Sequence, residues 1–290
     1  MGDRNGDKIN EHIAAALNAQ GFLLQHRIFT ELEQGFEAEG PGHQWVFEAA
    51  EYPVTARNSK QTRIDLVLSN RRVRGVHLCI ECKRAHPKYK AWVFFGQQPM
   101  LRNVTDPPFY LETIRYEARP PEHHDDASHR IERLRTGKPV FDYYLEAALH
   151  SQGSKVSTTS TIEAAFSQVM FGHSGLFRKL MSFQEHNILQ VIPVVVTTAQ
   201  LFKAEFDDAK VKLHDGTLDS TDVSVESLPF VAVNYHASDD LAREPRFAPL
   251  ERRNIQEDLT QWQIRTISVV QAVGINTFLP WLEEQLGLES

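Results

Sequence analysis

The chain has 290 residues, a net charge of −7, and hydrophobic and charged fractions of 41% and 24%, which are typical of soluble globular proteins. No apolar run approaches the length of a membrane span, and the first residues, MGDRNGDKIN, lack the apolar core of a signal peptide. We therefore expect a single cytoplasmic domain over 1–290 with no membrane partner. The net charge argues against a protein that grips nucleic acid over its whole surface.

The start of the chain predicts a helix followed by a strand. A helix is expected over 7–20, where Ile9, Ile13, Ala16 and Leu17 share one face and Gly21 marks the end. A polar, glycine-containing loop is expected over 31–43. The strand predicted over 45–54 carries Glu48 and Glu51 on opposite sides.

The stretch 61–90 holds two further predicted strands, 64–68 and 76–82, joined by a polar link. In the second strand, Glu81 and Lys83 point to one face and four apolar residues to the other, namely Val76, Leu78, Ile80 and Cys82. In the first strand, Asp65 faces away from its apolar neighbours Ile64, Leu66 and Leu68.

Asp65, Glu81 and Lys83 therefore need a reason to share one face of a sheet, because burying unpaired charge is costly. Carboxylates that meet at a sheet edge can hold Mg²⁺, and the neighbouring ammonium can orient a water. The alternative is an exposed hairpin with a salt-bridged Glu81 and Lys83.

Cys79 and Cys82 lie three residues apart in the second of these strands and point to opposite faces, which disfavours a disulfide between them. A zinc or redox interpretation of Cys-x-x-Cys is also disfavoured, since there is no second cysteine pair. A reducing compartment fits best.

Positive charge is concentrated around the two acids. Residues 57–90 contain ten Lys or Arg and two acids, Asp65 and Glu81. A basic collar around an acidic pair suits a polyanion that must approach a metal. The residues expected to contact nucleic acid are Arg63, Arg71, Arg72, Arg74, Arg84, Lys88 and Lys90. A solvated charged hairpin is the alternative interpretation.

The middle of the chain is interrupted. Aromatic and basic residues mix over 88–102, and buried core aromatics are favoured there over a platform for stacking bases. A loop-rich insertion is expected over 103–159, with a short helix at 142–149. It includes His123-His124-Asp125-Asp126, for which a solvated loop is favoured over a metal site.

A capping box, Ser160-Thr161-Ile162-Glu163, predicts a helix to about residue 181, with bends at Gly172 and Gly175. The run 189–198 predicts a strand buried on both faces, although Pro193 counts against a central position for its first half. A connection at 199–206, an acidic loop at 213–227, strands at 229–235 and 266–272, and a helix at 278–286 capped by Asn276 complete the chain.

Asp65 on one strand and Glu81-Cys82-Lys83 on the next resemble the motif of the PD-(D/E)xK nuclease superfamily, although Asp65 follows Ile64 and not a proline. The order helix, three strands, helix, strand over 7–110 and 160–235 is similar as well. The resemblance implies the restriction-endonuclease-like fold, an α/β fold with a mixed central sheet flanked by helices and here a loop-rich insertion.

The resemblance also implies a mechanism and residue roles. Asp65 and Glu81, with the backbone carbonyl of Cys82, would hold Mg²⁺ or Mn²⁺, and Lys83 would orient the attacking water. Gln168 matches a glutamine that many such families place near the metal, and Glu11 matches an accessory acid in the first helix. The implied function is a nuclease acting on DNA, in restriction or phage defence, as a homodimer or with a partner protein.

Two other functions stay open at this point. One is a catalytically inactive nuclease-like module that binds nucleic acid or scaffolds a complex. The other is a metal-dependent hydrolase of another phosphate ester. Neither a nucleotide-motor motif nor a Rossmann glycine motif is present in the sequence.

Overall fold

A computed structural model describes residues 4–19, 22–37, 44–56, 59–85, 90–96, 111–117, 128–134, 140–148, 161–183, 188–237 and 264–286. In this part of the chain the helices are Arg4–Ala19 (α1), Phe22–Glu37 (α2), Thr161–Phe183 (α3) and Ile275–Gln285 (α4). The strands are Trp45–Thr55 (β1), Gln61–Asn70 (β2), Val76–Lys83 (β3), Ala91–Phe95 (β4), Leu111–Glu117 (β5), Ser128–Leu134 (β6), Val140–Phe141 (β7), Tyr143–Ala147 (β8), Ile188–Thr197 (β9), Gln200–Phe206 (β10), Val223–Leu228 (β11), Phe230–His236 (β12) and Ile264–Gln271 (β13).

A large mixed sheet organises the molecule. Its strand order is β1-β2-β3-β9-β13-β12-β7, with the β5–β6 hairpin attached to β9. β1, β2 and β3 are antiparallel neighbours, whereas β9 runs parallel to β3 and to β13. Since α3 lies between β3 and β9 in the chain and parallel strands need a crossover, α3 forms part of that long connection. The prediction of an α/β protein with a mixed sheet flanked by helices is confirmed.

The two faces of this sheet bury separate apolar cores. Val191 and Val195 of β9 pack on the α3 side, and Ile192, Val194 and Val196 pack on the side of α2 and α4. A strand buried on both faces should read as continuous apolar sequence, and the run in β9 does so.

Pro193 lies in the middle of the sheet, so the expectation against a central position is wrong. Gln190 donates its backbone N–H to the carbonyl of Gly75, 2.9 Å away, which places the N–H groups of even-numbered residues of β9 toward β3. Pro193 then faces the other edge, where β5 pairs only with residues 188–189 and β13 only from Val194 onward. The missing donor falls in the gap between these two neighbours.

A second sheet, ordered β11-β10-β4-β8, corrects three expectations. The helix expected over 142–149 is wrong, since Tyr143–Ala147 form β8; 199–206 contains β10, and part of the 213–227 loop is β11. Trp92 and Phe94 of β4 are fully buried, as the core interpretation predicted, and Tyr143 stacks on Phe95 with ring centroids 5.4 Å apart. Pairing with β4 overrides the helix-forming composition of 142–149.

Both ends of the chain also differ from expectation. α2 continues to Glu37, so the first part of the predicted 31–43 loop is helical. Ile9, Ile13 and Leu17 are 58%, 53% and 46% exposed, so the apolar face of α1 is not part of the described core. Asn276 lies inside α4, whose N-cap is Gly274. Among the described residues, no helix combines the length and apolar character needed to cross a bilayer.

The two glycines of α3 are contact points with the sheet rather than bends, since the helix runs unbroken from Thr161 to Phe183. A Cβ at Gly172 would lie 3.0 Å from a side-chain atom of Ile64. A Cβ at Gly175 would lie 2.7 Å from the side chain of Val54 and 3.3 Å from the carbonyl of Thr55. The absence of side chains lets the helix lie directly on β1 and β2.

Gly175→Ala tests this contact. In a free helix the change would stabilise by about 1 kcal/mol, but here the clash with Val54 should destabilise the fold by about 1–3 kcal/mol. Urea unfolding measures the difference. Ala164→Gly, at an exposed site of the same helix, calibrates helix propensity and should cost about 1 kcal/mol. A more stable Gly175→Ala protein would contradict the close packing.

Candidate active site

Asp65 and Glu81 face each other where the β2–β3 ladder ends. The last regular pair is Leu66 with Ile80, so the next residues on the two strands are these two acids. Instead of continuing the ladder, the Asp65 side chain accepts the backbone N–H of Cys82 on Oδ2 at 2.7 Å. This bond fixes the carboxylate against β3 and beside Glu81.

Lys83 and Gln168 complete the cluster from two different elements. Lys83 Nζ lies 3.8 Å from Glu81 Oε1 and donates a hydrogen bond of 2.5 Å to Gln168 Oε1 on α3. The structure therefore brings together all four residues to which the sequence assigned catalytic roles, Asp65 included. Gln168 holds the ammonium at a fixed position relative to the carboxylates.

A cavity of about 310 Å³, the acidic pocket, opens at this cluster and is lined by Phe22, Gln25, Asp65, Glu81, Cys82, Lys83 and Arg84. Gln25 is buried and donates its side-chain amide to the backbone carbonyl of Asp65 at 2.9 Å. Sequence reasoning missed Gln25 and Phe22. The only signal was their position at the start of a helix whose apolar residues pack beneath β2 and β3.

Burial raises the pKa of both acids, and neighbouring carboxylates add to the effect. Burial raises the pKa of Glu81 to about 8, and the Asp65 charge raises it as well, whereas Lys83 lowers it. Burial also raises the pKa of Asp65 to about 6, against the lowering effect of the Cys82 hydrogen bond. Two carboxylates this close cannot both ionise freely unless additional positive charge reaches the pocket.

Glu51 is a third acid in the neighbourhood. Its neighbours Ala50 and Tyr52 pair with Leu66 and Ile64, so Glu51 lies opposite Asp65. Its φ of 50° is unusual for a residue other than glycine. The Glu51 charge raises the pKa of both pocket acids, and its carboxylate contacts Arg63 at 3.8 Å. Glu48 lies at a bulge in β1 and is not part of the site. Its carboxylate accepts a hydrogen bond from the Ser69 hydroxyl.

Other predicted site residues lie elsewhere. Glu11 is exposed on α1 and does not line the acidic pocket. Arg71, Arg72 and Arg74 sit in the β2–β3 turn, six or more residues from the acids and therefore about 20 Å away along the strands.

The remaining basic residues divide among three places. Arg84 lines the acidic pocket, whereas Arg63 lines a neighbouring groove. Lys90 is exposed at the start of β4 in the second sheet. Lys88 and 123–126 fall outside the described residues. Among the described residues, the expected collar of positive charge is therefore divided among separate places.

Within the described ranges, no group of three or more His, Cys, Asp or Glu side chains is placed to hold a metal ion. The acidic pocket offers two carboxylates, an oxygen donor set that suits Mg²⁺ because this ion keeps several waters and takes further oxygens from substrate. The thiols do not belong to this set. Cys79 and Cys82 are free and buried, and burial raises the pKa of each.

Comparison with known protein families, with curated proteins and with solved structures found no match to this chain. The residues and geometry of the acidic pocket are therefore what indicates the function of this chain.

The raised pKa values predict how stability depends on pH in the presence of chelator. The folded protein binds these protons more tightly than the unfolded chain, so stability should fall as pH rises from about 4 to about 8. Each proton contributes a slope of at most about 1.4 kcal/mol per pH unit. Glu81→Gln should flatten the profile and be more stable than wild type at pH 8.

Urea unfolding between pH 5 and pH 8 measures these profiles. Glu48→Gln replaces a carboxylate outside the pocket and should follow the wild-type slope. Identical slopes for wild type and Glu81→Gln would show that Glu81 is not held in the environment described.

Proposed function

We propose that this protein is a metal-dependent nuclease that hydrolyses phosphodiester bonds in nucleic acid, with DNA as the expected substrate. The observation that carries the proposal is the pairing of Asp65 with Glu81 at the end of the β2–β3 ladder, beside an ammonium held by Gln168. The consecutive β1, β2 and β3, followed by α3 and β9, also support the resemblance to restriction-endonuclease-like nucleases.

Asp65 and Glu81 would hold the ion, with the Cys82 carbonyl as a further oxygen donor. Mg²⁺ supplies charge neutralisation and a water of lowered pKa when it is bound. It would also offset the burial, and the repulsion from neighbouring carboxylates, that raise the pKa of both acids in its absence. The two carboxylates would therefore be better accommodated with a hard divalent cation bound than without one.

Lys83 would act on the reacting groups themselves. Its side chain is 25% exposed, and its ammonium can donate to the attacking water and to the phosphoryl oxygen on which charge develops. The water oxygen forms the new bond to phosphorus, and the bond from phosphorus to one sugar oxygen breaks. That oxygen leaves as a hydroxyl after taking up a proton. Gln168 is a positioning residue, because it acts through Lys83.

Cleavage assays test the assignment on supercoiled plasmid and on labelled single-stranded DNA and RNA, with Mg²⁺, Mn²⁺ or chelator. Asp65→Asn and Glu81→Gln should each reduce the rate at least about 10³-fold, since the charge stabilisation supplied by the ion is lost. Lys83→Met should reduce it roughly 10²- to 10³-fold.

Glu48→Gln is the matched control, because it removes a carboxylate from β1 outside the pocket and should cleave at the wild-type rate. Full activity of Asp65→Asn would exclude the proposed site. Binding of nucleic acid without cleavage by any metal-loaded form would instead identify a non-catalytic module.

Thermal unfolding gives a test of metal binding that does not depend on cleavage. An ion that binds only the folded state stabilises it by about 2.7 kcal/mol at 100 times its Kd. Mg²⁺ and Mn²⁺ should therefore raise the midpoint for wild type and for Glu48→Gln, but not for the double variant Asp65→Asn/Glu81→Gln. An equal rise in the double variant would place the ion elsewhere.

A further inference from the structure

A groove of about 780 Å³ lies beside α3, separate from the acidic pocket. We call it the basic groove. Its walls are the ends of β1 and β2 near the turn that joins them, and the second half of α3. The residues that line it include Thr55, Thr62, Arg63, Gly175, Arg178 and Lys179.

The basic groove is positively charged in a chain whose net charge is −7. Arg63, Arg178 and Lys179 line it, and none of the described residues that line it is acidic or aromatic. The Arg63 side chain is 71% exposed. Lys179 Nζ lies 4.2 Å from the centroid of the Tyr52 ring, a cation–π contact that keeps this charge at the groove wall.

The basic groove and the acidic pocket are connected along two elements. Gln168, Gly172, Gly175 and Lys179 share one stripe of α3, and the eleven residue steps from Gln168 to Lys179 span about 16 Å. Arg63 precedes Asp65 by two residues on β2, or about 7 Å. A span of about 16 Å covers between four and five base-pair steps of about 3.4 Å along a duplex axis.

We propose that the basic groove binds the phosphodiester backbone of a nucleic-acid duplex and guides one strand to Asp65 and Glu81. This inference rests on the proposed nuclease function for its purpose, but it assigns binding to residues outside the acidic pocket. Arg178 lies 115 residues beyond Arg63 in the chain, so the fold is what brings these cations together.

The chemistry of the lining selects the backbone over the bases. Three cations and the hydroxyl groups of Thr55 and Thr62 are contacts suited to phosphate oxygens. Binding of single strands relies on aromatic rings on which bases stack, and the described lining offers none. Recognition should therefore be independent of sequence, sensitive to salt and stronger for duplex than for single strand.

The test is fluorescence anisotropy of a labelled 20-base-pair DNA duplex in EDTA, where no metal supports cleavage, over a series of salt concentrations. Arg178→Gln/Lys179→Gln should bind at least about tenfold more weakly, and its log–log salt slope should fall by about 1.8, or about 0.9 for each lost phosphate contact. Arg178→Lys keeps the charge and should retain most of the affinity. Lys210→Gln, at an exposed lysine in the turn after β10 that does not line the basic groove, should bind as wild type does.

Two further duplexes of unrelated sequence should give the same ratios, and a single strand of the same length should bind more weakly. Thermal unfolding of each variant confirms its fold. The single variant Arg178→Gln serves if the loss of the Tyr52 contact unfolds the double one.

Unchanged affinity in a folded double variant would overturn the inference, as would a preference for single strands. Binding of inorganic phosphate without binding of duplex would also overturn it. These outcomes separate from those for the active site. If the wild type cleaves and the double variant binds duplex normally, the groove inference fails and the nuclease proposal stands. If the double variant loses binding but no metal-loaded form of the wild type cleaves, the nuclease proposal fails and the groove inference stands.

Discussion

The proposed chemistry depends on two carboxylates side by side at the end of a β-ladder, Glu81 buried and Asp65 half-buried. Asp65 and Glu81 repel each other, and burial disfavours the charge of both. Apolar residues of similar size would make a more stable sheet, since buried charges are costly to retain. A fold that keeps this arrangement, and fixes it with the Cys82 N–H and the Gln25 amide, maintains a place where positive charge is favourable.

α3 connects that place to the rest of the molecule. Its glycines let the helix lie against Ile64 and Val54, at the distance that brings Gln168 within hydrogen-bonding reach of Lys83. The same stripe continues to Lys179 at the groove wall. A shift of α3 away from the sheet would therefore take Gln168 from Lys83 and move Arg178 and Lys179 at the groove as well, so packing and the proposed chemistry depend on the same contact.

Sequence reasoning identified the elements whose signal is local. Alternation along β3 placed Glu81 and Lys83 opposite its apolar residues, and the apolar run of β9 placed that strand in the core. The alternation expected for β2 is wrong, because Ile64 packs on the α3 side of the sheet whereas Leu66 and Leu68 pack on the other side. Elements that depend on distant partners were missed. β8 forms because it pairs with β4, and Glu51 reaches the site because a bulge at Glu48 changes the alternation of β1. No local pattern of residues encodes either effect.

Basic residues that are close in the sequence are likewise not the ones that are close to each other in the fold. Ten basic residues cluster within 57–90, but a strand carries its residues about 3.3 Å apart, so the β2–β3 turn takes Arg71, Arg72 and Arg74 away from the acids. Arg63 stays close, and its partners at the groove, Arg178 and Lys179, arrive from α3. A polyanion responds to charges that converge in space. The cations relevant to it are thus set by how α3 lies on the sheet, and a count along the chain does not reveal them.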